Sequence, residues 1–245
     1  MRFELGQRII DKIRGKRSTF IYSYKNGNKL IYFNEDGCTI NPIFKIDGLE
    51  INFYGKNSTV IIHSSNKFVD CKLNIGDENL VIIKEDKNEY AYKHFSIVYT
   101  MATKSRLIIG KNTTILDSYF YLHDEPNTVV SIGDDCLFSF NNIIWPSDGH
   151  SIIDNEGNVL NSGENIKIGN HVWIGMDCKI LKGSFVPNNS VVGASSIFTS
   201  GSNPITERLL EGGVFAGMPA KLIRKNISWD RKSPYRYKIS KGDFN

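Results

Sequence analysis

Residues 166–203 decide the fold, and they read IKIGNHVWIGMDCKILKGSFVPNNSVVGASSIFTSGSN. From Ile168 onward an apolar residue opens every hexad, and a small or β-branched residue fills the fifth place. The apolar set is Ile168, Ile174, Ile180, Val186, Val192 and Phe198, and the small set is Val172, Cys178, Ser184, Ser190, Ser196 and Ser202. Helices repeat every three or four residues and plain strands every two, so neither produces a strict period of six. The period is typical of a β-solenoid, in which short strands separated by corners wind around a core.

A weaker form of the same pattern precedes this stretch. The phrases YGKN, IGDE, IGKN, IGDD and IGNH place glycines at 55, 76, 110, 133 and 169, at intervals near one or two multiples of eighteen. Eighteen residues are three hexads, which is one coil of a triangular solenoid. We therefore predict a solenoid domain over residues 46–203. Residues 86–104 fit the period badly, and we expect them to leave the coil.

The two ends of the chain differ from the repeats. Residues 1–45 predict an N-terminal extension: an amphipathic helix at 2–17, then a β-hairpin at 19–34. The helix either rests on a membrane surface or caps the open end of the solenoid, and capping is favoured because an uncapped end exposes backbone and core. Residues 204–245 predict a C-terminal extension with a basic tail.

Composition narrows the classes of function. The net charge of +4 is too mild to indicate nucleic-acid binding. No apolar run reaches the eighteen residues of a membrane span, and the N-terminus does not read as a secretory signal. The four cysteines show no CxxC spacing, which predicts free thiols and a cytoplasmic location.

Three motifs carry a resemblance to a known family. IGNHVWIG at 168–175, VVGASS at 191–196 and AGMPAKLIR at 216–224 resemble hexapeptide-repeat acetyltransferases. The likeness is greatest to bacterial polysaccharide O-acetyltransferases, including those of capsular polysialic acid. They share a D-x-H phrase, here at 148–150, and a tail N-I-x-W-x-R-K, here at 226–232. The resemblance implies an all-β, left-handed parallel β-helix, acetyl-CoA as cosubstrate, no metal, and a homotrimer with active sites between subunits.

The polar segment 145–165 interrupts the repeats and is the predicted location of the chemistry. Gly, Pro, Ser, Asp and Asn dominate it, and long loops on a rigid scaffold concentrate function. An alcohol attacks a thioester only after a base removes its proton, and imidazole titrates near neutrality. Matched to the family's catalytic histidine, His150 is the predicted general base; the alternative is a solvated loop histidine. Asp148 either orients that imidazole or forms a turn with Gly149.

The predicted cofactor residues lie on the repeats and in the tail. Trp173 occupies the sixth place of a hexad and should point outward. By resemblance it borders the pantetheine arm and thioester, or it packs against a neighbouring subunit. Small residues would let the cofactor run close to the backbone, or they serve only corner geometry; they are Gly175, Gly193, Ala194 and Ser195. Lys221 and Arg224 would hold the nucleotide phosphates, with a solvated basic tail as the alternative.

The predicted function is acetyl-CoA-dependent O-acetylation of a bacterial surface polysaccharide, a capsule or O-antigen, with sialic acid polymers among the candidate acceptors. N-acetylation of an amino-sugar or nucleotide-sugar precursor is the alternative. A γ-carbonic anhydrase needs three histidines converging on a metal, two of them closely spaced, and here the smallest separation is 21 residues, from His150 to His171. A non-catalytic solenoid scaffold is the third hypothesis.

Overall fold

The structure, a computed structural model, describes residues 19–33, 46–88, 92–204 and 212–242. The predicted N-terminal helix at 2–17 lies outside these residues. The described strands, in chain order, are β1 (Thr19–Ser23), β2 (Lys29–Phe33), β3 (Leu49–Phe53), β4 (Thr59–His63), β5 (Cys71–Ile75), β6 (Leu80–Ile83), β7 (Lys93–Ile97), β8 (Arg106–Ile109), β9 (Thr114–Phe120), β10 (Val129–Ile132), β11 (Leu137–Phe138), β12 (Asn142–Trp145), β13 (Ile166–Ile168), β14 (Trp173–Ile174), β15 (Lys179–Leu181), β16 (Phe185–Val186), β17 (Val191–Val192), β18 (Ile197–Phe198), β19 (Gly213–Gly217) and β20 (Ala220–Lys225). A C-terminal helix spans Pro234–Lys241, and 3-10 turns span Lys25–Gly27 and Ser200–Ser202.

The strands form three faces of a triangular coil. Face 1 stacks β2, β4, β6, β8, β10, β13 and β16 in parallel. Face 2 stacks the start of β9 on β11, β14, β17 and β19. Face 3 stacks β3, β5, β7, the end of β9, β12, β15 and β18. The chain visits faces 1, 2 and 3 in turn, as in β10, β11 and β12, so the predicted parallel β-helix is confirmed.

The hexad residues of the repeats form three vertical ladders inside the coil. Ile132, Ile168 and Val186 are in register on face 1 and completely buried or nearly so. The ladder on face 2 is Phe138, Ile174 and Val192, and the ladder on face 3 is Ile144, Ile180 and Phe198. Each coil thus buries its large side chains on those of the next, which is the core of the fold.

The small hexad residues occupy the corners, where their polar atoms are satisfied by the main chain. The Ser184 hydroxyl donates to the carbonyl oxygen of Phe198 at 3.1 Å, and the Cys178 thiol contacts the carbonyl oxygen of Gly193 at 3.1 Å. Cys178 is completely buried, as its hexad place predicts. A larger side chain would not fit beside this backbone, so the fifth place stays small.

Glycines of successive coils stack on one another at the corners, because the main chains of neighbouring coils come into close contact at these points. A β-carbon on Gly133 would clash with the carbonyl group of Gly169, one coil away. The glycine phrases belong to two corners rather than one: Gly55 stacks on Gly76 before face 1, whereas Gly110 stacks on Gly133 after it. Their regular spacing in the sequence therefore indicated coils without fixing which corner each glycine occupies.

The solenoid begins earlier than the predicted boundary at residue 46. The expected hairpin is present, with β1 antiparallel to β2 across a turn at Lys25–Gly27. Its second strand also pairs in parallel with β4, with Leu30 opposite Val60, and so forms a rung of face 1. At the other end β19 adds a rung to face 2, and β20 returns antiparallel to it.

The expectation that residues 86–104 leave the coil is wrong, because β7 is a rung of face 3. Lys93 begins this strand with no exposed surface, and its Nζ donates to Asp86 Oδ2 at 2.8 Å. Burial lowers the pKa of Lys93, and the Asp86 carboxylate opposes that effect. Hydrophobic periodicity does not indicate β7 as a strand of the coil, because the buried ion pair of Lys93 and Asp86 stands where apolar residues would be expected.

Replacing Asp86 with Ala would leave the Lys93 ammonium buried without its carboxylate. We expect the free energy of unfolding to fall by about 3–5 kcal/mol, measured by chemical denaturation. The double variant Asp86→Leu/Lys93→Met removes both polar groups and should recover most of that loss. Equal destabilisation of the single and double variants would contradict the ion-pair explanation.

Candidate active site

The polar loop consists of residues that one coil of the solenoid does not need: two rungs that are in register here are connected by more residues than one coil contains. Ile168 and Val186 are one coil apart, 186 − 168 = 18 residues, whereas Ile132 and Ile168 are in register across 168 − 132 = 36. The surplus leaves the coil at 146–165, at the corner between faces 3 and 1. Trp145, predicted to open the loop, instead pairs with Leu181 as the last residue of β12. An antiparallel bridge between Ile153 and Val159 closes a small hairpin inside the loop.

Asp148 and His150 both lie on this loop with exposed side chains, but they are not hydrogen-bonded to each other. Asp148 Oδ2 accepts from Lys182 Nζ at 2.6 Å and from Asn161 Nδ2 at 3.0 Å. The Asn161 amide also donates to the main-chain carbonyl of His150 at 2.8 Å. In the sequence Asp148 is two residues from His150. In the structure its carboxylate binds Lys182, which directly follows β15, and not the imidazole.

Lys182 fastens the loop at its base. Its Nζ also donates to the carbonyl oxygens of Asn161 at 2.8 Å and Ser162 at 3.4 Å. Burial raises the pKa of Asp148, but the hydrogen bonds from Lys182 and Asn161 and the charge of Lys182 outweigh it, so the pKa lies below its usual value. The contribution of this carboxylate to stability is present above the unfolded pKa of about 3.9 and is lost as the pH falls through the lowered folded value.

Trp173 stands outward on face 2, as its hexad place predicts. Its ring is 38% exposed, and its Nε1 donates to Ser139 Oγ at 3.2 Å. Across the face Trp173 pairs with Val191, Val191 with Val214, and Val214 with Arg224. Paired residues point to the same side of a sheet, so Trp173 and Arg224 lie in one outward row, roughly 14 Å apart.

The other predicted cofactor residues lie beside this row. Lys221 is exposed and pairs with Ala216, on the same strand as Arg224. Gly175 packs so closely on Ala194 that a β-carbon would lie 2.7 Å from the Ala194 nitrogen. Gly193 faces Ala216, and Ser195 is exposed at a corner with a φ of 55°. Corner geometry therefore accounts for Gly175, whereas Gly193, Ala194 and Ser195 are small residues beside the row.

His150 and Trp173 lie on different sides of one chain. The loop leaves the coil between faces 3 and 1, whereas Trp173 projects from face 2, the side opposite that corner. Within the described residues no hydrogen bond or ring contact joins the two side chains. A site containing both requires a second copy of the chain.

The C-terminal tail forms a strap across the coils, which the sequence reading missed. The Trp229 ring stacks on His171 with centroids 4.4 Å apart, and its Nε1 donates to the His171 carbonyl at 2.8 Å. Arg231 binds Asp135 Oδ1 through Nε at 3.1 Å and Nη2 at 3.0 Å. Asp135 Oδ2 in turn lies 2.7 Å from His171 Nδ1. The tail motif was the available signal, but nothing in the sequence indicated its partners.

Trp229 also contributes to the surface around Trp173. The two indole rings lie 6.2 Å apart and inclined at 45°. His171 is therefore a structural residue at a corner, because both ring nitrogens and one ring face are occupied by Asp135 and Trp229. His63 is completely buried and its Nδ1 accepts from the Ser65 main chain at 3.2 Å, which makes it structural too.

Neither a metal cluster nor a membrane-crossing helix is found in the part of the chain that the structure describes. No group of three His, Cys, Asp or Glu side chains there converges as metal ligands. No helix there is long and apolar enough to cross a membrane.

Comparison with known proteins finds polysialic acid O-acetyltransferases among the proteins similar to this chain. A polysialic acid O-acetyltransferase of Escherichia coli O1:K1 is 34% identical over 133 residues, which are 54% of this chain and 40% of that protein. A polysialic acid O-acetyltransferase of Neisseria meningitidis is 29% identical over 215 residues, 87% of this chain and 91% of that protein. The crystal structure of the polySia specific acetyltransferase NeuO matches with a TM-score of 0.60 and 25% identity, over 82% of this chain and all of that one.

The chain is a homologue of the hexapeptide-repeat acetyltransferases. The predicted left-handed parallel β-helix is confirmed. No family model matches the chain. The chain spans 40% of the length of the Escherichia coli O1:K1 relative and 91% of the Neisseria meningitidis relative.

Replacing Lys182 with Met should release the loop while leaving the coil intact. Because the ion pair with Asp148 is partly exposed, we expect only a small change in melting temperature. Hydrogen exchange at residues 148–163 should accelerate, measured by mass spectrometry. Lys179→Met, an exposed lysine on β15, is the matched control and should leave exchange unchanged. Unaltered exchange in Lys182→Met would show that Lys182 does not hold the loop.

Proposed function

We propose that the protein is an acetyl-CoA-dependent O-acetyltransferase acting on a hydroxyl of a bacterial surface polysaccharide. The observation that carries the proposal is the position of His150, an exposed imidazole on the one long loop that interrupts the coil between residues 92 and 204. Two relatives are named polysialic acid O-acetyltransferases, which makes polysialic acid the first acceptor to test.

In the proposed reaction His150 is the general base. Its unprotonated ring nitrogen takes the proton of the acceptor hydroxyl as the oxygen attacks the thioester carbonyl carbon. The tetrahedral intermediate then expels the CoA thiolate, and the imidazolium returns the proton to sulfur. The products are an acetyl ester and free CoA, with no acyl-enzyme. Neutral imidazole is suited to this exchange because its pKa lies near neutrality.

Asp148 acts in this proposal through the backbone of the loop rather than on the imidazole. Its carboxylate is held by Lys182 and Asn161, and Asn161 holds the His150 carbonyl. The chain Lys182–Asp148–Asn161 therefore fixes the main chain at His150. Positioning of a reacting group by such contacts lowers the entropic part of the barrier.

Acetyl-CoA fits the outward row of face 2. Trp173 offers an apolar ring for the pantetheine arm, and Gly193 and Ala194 leave room for an extended chain. Arg224 and Lys221 lie at the other end of the row, exposed and without an ion pair among the described residues. Guanidinium and ammonium groups bind phosphate oxygens, so this end suits the nucleotide diphosphate.

A homotrimer would bring these parts together. One chain keeps His150 and Trp173 on different sides, and a cyclic arrangement places the loop corner of one subunit against face 2 of the next. Each of the three grooves would then contain His150 from one subunit and Trp173 from its neighbour. A cytoplasmic location fits the buried thiols of Cys71, Cys136 and Cys178 and access to acetyl-CoA.

Replacing His150 with Gln should lower kcat about 10²- to 10⁴-fold, because the amide keeps a polar side chain but cannot take a proton. The measurement is thiol release from acetyl-CoA in the presence of polysialic acid, with ester formation checked by mass spectrometry. His94→Gln, a half-buried histidine on β7, is the control and should retain full activity. A His150→Gln enzyme with more than a tenth of wild-type kcat would remove His150 as the base.

A further inference from the structure

An aromatic platform of four rings lies on the outer surface beside the loop. Tyr99 lies 4.6 Å from His123 between ring centroids, and Tyr121 lies 5.4 Å from Trp145. Tyr121 also lies 6.0 Å from His123 and 6.3 Å from Tyr99, so the four rings form one continuous patch. They come from three successive coils, after β7, after β9 and at the end of β12. Tyr99 is 57% exposed.

One carboxylate holds two rings of this platform in place. Asp124 Oδ2 accepts from Trp145 Nε1 at 2.7 Å, and Asp124 Oδ1 lies 3.0 Å from His123 Nε2. These rings are fixed before any ligand arrives, which lowers the entropic cost of binding.

The platform adjoins the residues proposed for catalysis. Trp145 directly precedes the loop, and a β-carbon on Gly149 would lie 3.1 Å from Trp145 Cζ2. The next residue is His150. The four rings and the general base therefore belong to one side of one subunit, whereas Trp173 belongs to the opposite side.

We propose that Tyr99, Tyr121, His123 and Trp145 bind a sugar ring of the acceptor glycan through its apolar C–H face. Ring faces bury the carbon side of a pyranose, and the phenolic hydroxyls of the two tyrosines remain at the rim to bond its hydroxyl groups. Acceptor and acetyl donor are thus held by different subunits, and they meet at His150. This inference rests on the proposed function, because it names the acceptor subsite of that site.

Kinetics with polysialic acid oligomers as acceptor test the platform. Tyr99→Ala should raise the KM for the oligomers about tenfold, a loss typical of one aromatic stacking contact, and leave the KM for acetyl-CoA within twofold. Tyr99→Phe keeps the ring and should restore most of the affinity. Tyr235→Ala, which removes a tyrosine 64% exposed on the C-terminal helix, is the matched control and should change neither KM.

Binding without turnover separates this inference from the proposed function. Calorimetry of the oligomers with His150→Gln protein should show binding that Tyr99→Ala weakens by the same factor. The platform would be overturned by an unchanged acceptor KM in Tyr99→Ala, or by no binding of polysialic acid oligomers to His150→Gln protein. It would also be overturned if light scattering showed that Tyr99→Ala makes the protein subunits dissociate. Failure of the proposed function alone would instead appear as normal, Tyr99-dependent binding without acetyl transfer.

Discussion

The vertical register of the coils is the constraint on which the rest of the structure depends. Ile168 stacks between Ile132 and Val186, and the main chain repeats the same geometry, since Gly133 donates to the Ile168 carbonyl and Gly169 to the Val186 carbonyl, both at 2.9 Å. Register in a stacked sheet is fixed by the buried face, because a slip of one residue would turn the ladder outward. Chain that exceeds one coil therefore has to leave at a corner.

That constraint explains why the candidate base His150 lies on a loop that interrupts the coil. The surplus chain between β12 and β13 leaves the coil as an exposed loop with His150, while its ends remain fixed by the rungs on either side. Lys182, at the base of the next coil, holds the loop through Asp148. The coil also carries Trp173 outward on the opposite side. Under the proposed function, the base and the donor row lie on opposite sides of one subunit, and an oligomer would complete the active site.

The sequence predicted the parts of the structure that repeat. The hexads gave the faces, the inward Cys178, the outward Trp173 and the presence of the loop, because a period of six maps directly onto a triangular coil. The ion pair of Lys93 with Asp86 broke the apolar pattern, so a true rung was expected to be an excursion. Motifs indicate the candidate residues His150, Trp173 and Arg224, and their relative placement follows only from the strand register.

Contacts between distant segments could not be predicted from one sequence. Arg231 binds Asp135 across 96 residues, and Trp229 binds His171 across 58. Asp148 had a histidine two residues away, but the structure gives it Lys182, which becomes its neighbour only when the next coil stacks beneath the loop. The aromatic platform likewise draws on three coils, and none of its members belongs to a recognisable motif.

Mixing two inactive subunits tests most directly whether the active site is shared between copies of the chain. His150→Ala and Trp173→Ala proteins would be purified separately, mixed in equal amounts, dissociated and reassembled. In random trimers roughly a quarter of the grooves combine an intact His150 with an intact Trp173 from the neighbouring subunit. We predict acetyl transfer well above the sum of the two separate variants, approaching that fraction of wild-type activity. Activity no greater than that sum would contradict a site built from two subunits.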